Sequence, residues 1–284
     1  MATTITESQT ASTLPQKKGD PPNFGTVKSG RALAFDGVID HLTVADNTSL
    51  DMGTSDFTIA AWMKFDTFTD NNTLIRYGGG YATGDEGFTF LCNTSGEPYL
   101  QFSSSSALIL NAVIPSASAL STDIWYRIVL VFDRDANFQM YLNGATHGDA
   151  VDISGASDSI NPSGSMFIGN VSATNTTYLF DGAMSDFQFW HEAWSLTDVT
   201  NDYTHPEMLA HTFSGTSLTE SNLKLWYPMT EGNPESPQTT IFDGSPKVLG
   251  SELITNFANW TDPADVTVTT NASTNTVTLE ADDD

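Results

Sequence analysis

The chain has 284 residues, of which 35 are acidic and 10 basic, giving a formal net charge of −25. A field of that sign repels phosphate backbones and anionic lipid surfaces, so nucleic acid and membranes are not expected as partners. Hydrophobic residues make up 39%, enough for a globular core, and the single cysteine, Cys92, rules out an intrachain disulfide.

Residues 1–30 hold Pro15, Gly19, Pro21 and Pro22 with few apolar side chains, and read as an extended N-terminal arm. The arm carries Lys17, Lys18 and Lys28, three of the ten basic residues, which suits docking on an acidic neighbouring copy; a plain tail is the alternative. Its stretch Met1 to Lys18 is rich in Thr, Ser and Gln and does not read as a secretory signal, so the protein is expected to be made and folded in a cytoplasm. From residue 31 to about residue 194 the pattern is β throughout, with runs rich in Val, Ile, Phe, Tyr and Thr separated by Gly, Asn, Asp and Ser clusters.

The stretch 33–40 and the alternating run 41–45 open this region, and 56–65 is a clear strand. Strands are expected next at 74–77, 88–92, 99–102 and 108–114. Cys92 lies inside one of them, where a buried inert thiol is the natural reading. Trp125–Phe132 is apolar on both faces at its centre, as a strand enclosed between layers would be. Residues 133–137 turn the chain into 138–142, and Asn143-Gly144 is a strong hairpin-turn signal. Further strands are expected at 166–169, 178–180 and 187–190. One helix follows, with Ser195 as its cap, Asp198 in the capping-box position and an end near Tyr203.

The phrase Phe-Asp-Gly occurs at Phe35-Asp36-Gly37 and again at Phe180-Asp181-Gly182, while a third copy, Phe242-Asp243-Gly244, lacks the flanking alternation and reads as a linker turn. Together with Phe57-Thr58-Ile59-Ala60-Ala61-Trp62, Trp125-Tyr126-Arg127, Tyr141-Leu142-Asn143-Gly144 and Phe187-Gln188-Phe189-Trp190, the first two copies resemble laminin-G-like, concanavalin-A-like jelly-roll modules. The resemblance implies an all-β, two-sheet antiparallel jelly-roll sandwich over 31–212, whose first and last strands lie side by side. Residues 213–250 resemble a linker found beside such modules in phage and bacterial surface proteins. Residues 251–284 resemble the start of a second sandwich, too short to stand alone, with an exposed or edge strand over Val266–Leu279.

Two kinds of site are expected. Asp36 and Asp40 from the first strand, with Asp181 and Asp186 from the last, supply oxygens of the kind Ca²⁺ prefers; the alternative is that Asp-Gly simply makes the turn. Tyr77 and Tyr81 flank three consecutive glycines, which suggests a loop presenting tyrosines for stacking on a glycan. Trp62, Trp125, Trp190 and Trp194 read as core. Glycosidase carboxylates on one strand, nucleophile triads, phosphate loops and Cys/His metal spacings are all missing, so no enzymatic activity is expected. The resulting expectation is a non-enzymatic virion surface protein of capsid-decoration or head-fibre type, partnered by other capsid proteins, copies of itself and cell-surface glycans. The alternatives are an adhesin module of a tail fibre or bacterial surface, working extracellularly, and a glycan-cleaving enzyme.

Overall fold

A computed structural model describes residues 32–80, 82–229 and 245, and two strands near the C-terminus. Two antiparallel sheets form the sandwich. The first contains β1 (Leu33–Asp36), β13 (Asp181–Trp190), β3 (Phe57–Phe65), β8 (Trp125–Phe132), β9 (Asn137–Leu142) and β10 (Ala145–Thr146) in that order; β11 (Val151–Asp152) also pairs β9, and β14 (Leu223–Tyr227) also pairs β13. The second runs β2 (Leu42–Val44), β12 (Met166–Ile168), β4 (Asn72–Gly78), β5 (Gly87–Cys92), β6 (Pro98–Ser103) and β7 (Leu108–Val113). The expected jelly-roll class and most of its strands are present.

Strand alternation builds the core between the sheets. Tyr126, Ile128, Leu130 and Phe132 of β8 point inward, and Phe57 stacks on Phe132 with ring centroids 4.1 Å apart and on Phe88 at 5.2 Å. The outward residues Val129 and Val131 are buried as well, because a second apolar cluster lies on the outer face of the first sheet. It is closed by Trp190, Trp194, Val199 of α1 (Leu196–Thr204), Leu209, Leu218 and Leu223. Both faces of β8 are thus apolar because helix and strap cover the outer one.

Helix α1 starts as its sequence dictates. The Ser195 hydroxyl accepts from Asp198 N, and the Asp198 carboxylate accepts from Ser195 N at 3.0 Å. Beneath it, fully buried Arg127 donates to both Asp202 oxygens at 2.7 and 2.9 Å. Its third nitrogen reaches Asp186, at 3.1 Å to the carboxylate and 2.9 Å to the carbonyl. The turn Asn143-Gly144 joins β9 and β10 as a two-residue hairpin, both residues with positive φ (53° and 81°).

Three readings are revised. Residues 178–180 lie in loop, and the strand begins at Asp181, where Thr67 and Asn72 fix the carboxylate and the amide. The stretch read as linker supplies β14, which pairs Phe187–Trp190 and buries Leu223 and Leu225. The span Val266–Leu279 is a hairpin of two strands, β15 (Val266–Asn271) and β16 (Thr276–Ala281), in a separate compact unit of residues 246–284. The arm at 1–30 lies outside the described residues.

Candidate functional site

The outer face of the second sheet carries an aligned transverse row. Thr43, Phe167, Arg76, Thr89, Gln101 and Asn111 are register partners in succession across β2, β12, β4, β5, β6 and β7. Their sequence neighbours Ile75, Tyr77, Phe88, Phe90, Leu100, Phe102, Met166 and Ile168 fill the core, so alternation turns the row outward. Tyr99 and Gln101 both donate to Asn111 Oδ1, at 2.8 and 3.2 Å, which ties β6 to the edge strand.

The β4–β5 connection folds back over this face. A side chain at Gly79 would collide with the Asp85 carboxylate, and one at Gly80 (φ +87°) would meet backbone of Gly87, Phe88 and Gln101 at 2.9–3.0 Å. Glycine is therefore required for the loop to lie flat against the sheet. Gly79 N and Gly80 N donate to Glu86 O and Asp85 O, and the Thr89 hydroxyl donates to Gly79 O at 3.1 Å. Between this loop and residues 162–165 and 171–172 lies an open groove of about 440 Å³.

Arg76 and Phe167, paired in register, belong to its lining, with Asp85, Glu86, Ser163 and Ser165 around them. The half-buried Phe167 ring leans towards His41 at 6.2 Å. Arg76 Nε donates to Gly78 O at 2.6 Å, which holds the guanidinium along the groove. One Glu86 oxygen accepts from Asn161 N at 3.0 Å, and Asp85 Oδ2 is buried with no hydrogen-bond partner among the described residues. Charged donors and acceptors, hydroxyls and one aromatic ring converge here, a combination suited to a polyhydroxylated ligand.

The family model described as Concanavalin A-like lectin/glucanases superfamily (Laminin_G_3) matches residues 36–200, more than half of the chain. The chain belongs to that superfamily. No curated protein sequence matches it. Among solved structures, one described as a carbohydrate-binding protein from Bacteroides ovatus aligns with 19% identity and a TM-score of 0.53. The alignment covers 75% of this chain and 55% of that one, so this chain spans about half its length. A heptameric SAP-like pentraxin from Limulus polyphemus aligns at 18% identity, 60% and 80% coverage and TM-score 0.46. A Trypanosoma rangeli sialidase aligns at 14%, 62% and 28% coverage and TM-score 0.45. At these identities the likeness concerns fold alone.

Within this concanavalin-A-like frame the expected site residues separate. Asp36 and Asp181 do face each other where β1 pairs β13. Asp36 Oδ1 accepts from the amides of Val38, Ile39 and Asp40, the Ile39 bond foremost in holding its carboxyl below the usual range. Asp40 in turn accepts from Asp36 N, and Asp181 from the Thr67 hydroxyl. Asp186 is elsewhere: five residues further along β13, or about 16 Å at the usual strand rise, it is bound to Arg127, Gln188 and the Trp226 indole. The four do not form one calcium site, and among the described residues no three acidic, His or Cys side chains are disposed around a metal position.

Tyr77 is corrected too. Its ring is fully buried against Phe88, its hydroxyl points to Asp51, and burial pushes its phenol far above the ordinary value. A ring without an exposed face cannot stack on a sugar; Tyr81 lies outside the described residues. The glycine loop does border the groove, but the groove's own residues are Arg76, Phe167, Asp85 and Glu86. The available signals were a lone arginine in an apolar strand and an outward phenylalanine between two inward residues. Cys92 is buried and its thiol is pushed up by burial, leaving it inert as read from its strand.

Proposed function

We propose that the protein is a non-enzymatic glycan-binding module that holds its ligand in the groove over the second sheet. The observation carrying this reading is the convergence of Arg76, Asp85, Glu86 and the Phe167 ring in one open cleft of about 440 Å³. Carboxylates and guanidinium make strong hydrogen bonds to sugar hydroxyls, and an aromatic ring gives the C–H face of a pyranose a surface to lie on. The superfamily description, which joins lectins with glucanases, is consistent with a sugar ligand.

Support for binding without cleavage comes from how the two carboxylates are held. A glycosidase sets its acid and its base or nucleophile on opposite sides of the scissile bond. Here Asp85 and Glu86 are consecutive in one loop, the first packed on Gly79 and the second bonded to Asn161. The acidic body and the lysine-bearing arm favour display on a virion surface as the setting, which mass spectrometry of purified particles would check.

A glycan array followed by isothermal titration tests the binding role. Phe167→Ala is expected to weaken the best ligand at least about tenfold, the loss of one stacked ring, while the fold is kept. No binding to any glycan, or unchanged binding by Phe167→Ala, overturns the assignment; release of reducing ends from a bound oligosaccharide overturns its non-enzymatic part.

A further inference from the structure

The charges around the groove say more than that a sugar fits. Resting on the glycan-binding reading, we infer that the groove selects an uncharged oligosaccharide and rejects uronic, sialic and sulfated sugars. Its lining holds one cation, Arg76, against two anions, Asp85 and Glu86, with serines supplying neutral hydroxyls. The cation is already partly engaged, since its Nε is committed to Gly78 O. Neither anion is free to swing aside. Glu86 is tethered to Asn161 N, and the Asp85 carboxyl rests on Gly79, whose lack of a side chain makes the space it occupies.

A sugar carboxylate or sulfate seated over Phe167 would therefore stand near two fixed like charges with one partly engaged partner. The surrounding protein, at a net −25, adds long-range repulsion. A sugar hydroxyl meets the opposite situation: it donates to a fixed carboxylate through a charge-assisted hydrogen bond, and no reorganisation is needed. The pyranose face lies on the Phe167 ring, and Ser163 and Ser165 complete the set of small polar partners. The groove thus reads pattern of hydroxyls, and its carboxylates act as the discriminating element.

The test titrates the full-length protein with hexasaccharides of glucan, mannan and galactan and with hexasaccharides of galacturonan and mannuronan, at ~20 mM and ~500 mM NaCl. At least one neutral hexasaccharide is expected to bind with an affinity that changes less than about twofold with salt, because no net ligand charge is screened. The acidic sugars are expected to bind at least about tenfold more weakly at low salt and to recover part of that deficit at high salt. Glu86→Gln keeps the hydrogen bond from Asn161 N and removes one charge, so the gap should narrow by about threefold or more while thermal stability is retained. Acidic sugars that bind as well as or better than neutral ones, or a gap unmoved by salt and by Glu86→Gln, overturn the selectivity. Failure of every sugar to bind overturns instead the glycan reading on which it rests.

Discussion

Replacing Asp202 by alanine probes the buried ion cluster beneath α1. Arg127 is fully buried and Asp202 is 2% exposed, so neither charge has water to fall back on. The substitution removes two charge-assisted hydrogen bonds, at 2.7 and 2.9 Å, and leaves the guanidinium with Asp186 alone. Breaking a buried pair from one side costs about 3–5 kcal/mol, and the surviving Asp186 contact puts the expected loss near ~3 kcal/mol. For a unit of this size that is a fall in melting temperature of about 6–12 °C. Urea unfolding followed by tryptophan fluorescence measures it directly. Arg127→Ala should cost more than Asp202→Ala, because it strands the buried Asp202 carboxylate and also takes the ion pair from partly buried Asp186. A loss below about 1 kcal/mol for Asp202→Ala, or the reverse order of the two variants, would refute the view that this cluster clamps the helix to the sheet.

Acid should weaken the fold through His191. Burial, then nearby Lys224, depresses its folded pKa to about 4 from an ordinary 6.5, and its Nε2 is buried with no hydrogen-bond partner among the described residues. The unfolded chain thus takes up a proton that the folded one refuses, so stability is intact above 6.5 and falls between 6.5 and 4, by about 3 kcal/mol at the bottom of that window. His191→Gln should flatten this part of the stability–pH curve, and an unchanged curve would count against it. At Gly144 (φ +81°) a new Cβ would lie 2.9 Å from the Tyr203 ring, so Gly144→Ala should cost about 1–3 kcal/mol in a thermal melt. The Cys92 thiol should stay unreactive towards a disulfide reagent in native protein and titrate fully in denaturant; rapid native labelling would contradict its burial.

Much of the sandwich was legible because its strands are governed by local rules. Runs of aromatic and β-branched residues mark β3 and β8, the Asn143-Gly144 pair marks the β9–β10 turn, and Ser195 with Asp198 marks the helix start. The first two of the three Phe-Asp-Gly phrases foretold that the strands they mark are neighbours, and Asp36 does sit opposite Asp181. Features that depend on distant partners were harder. β14 is an edge strand whose five residues become a strand through pairing with β13, more than thirty residues earlier. Tyr77 looked exposed because glycines follow it, yet those glycines free the loop while strand alternation turns the ring inward. The groove left only isolated local signals, since Arg76, the Asp85-Glu86 loop and Phe167 meet only when β12 is laid beside β4.

The cover formed by α1 and the Leu209–Leu223 strap on the first sheet gives the sandwich a front and a back. On the back, Trp190, Trp194 and Val199 have already sealed the surface that a flat ligand would need. On the front, Thr43 and Asn111 at the two ends of the transverse row are exposed, and the glycine loop is bonded to buried Thr89 between them. Mounting the module by its helical side would leave every groove facing outward, so its orientation on a carrier decides whether a dense array of copies can grip a multivalent glycan.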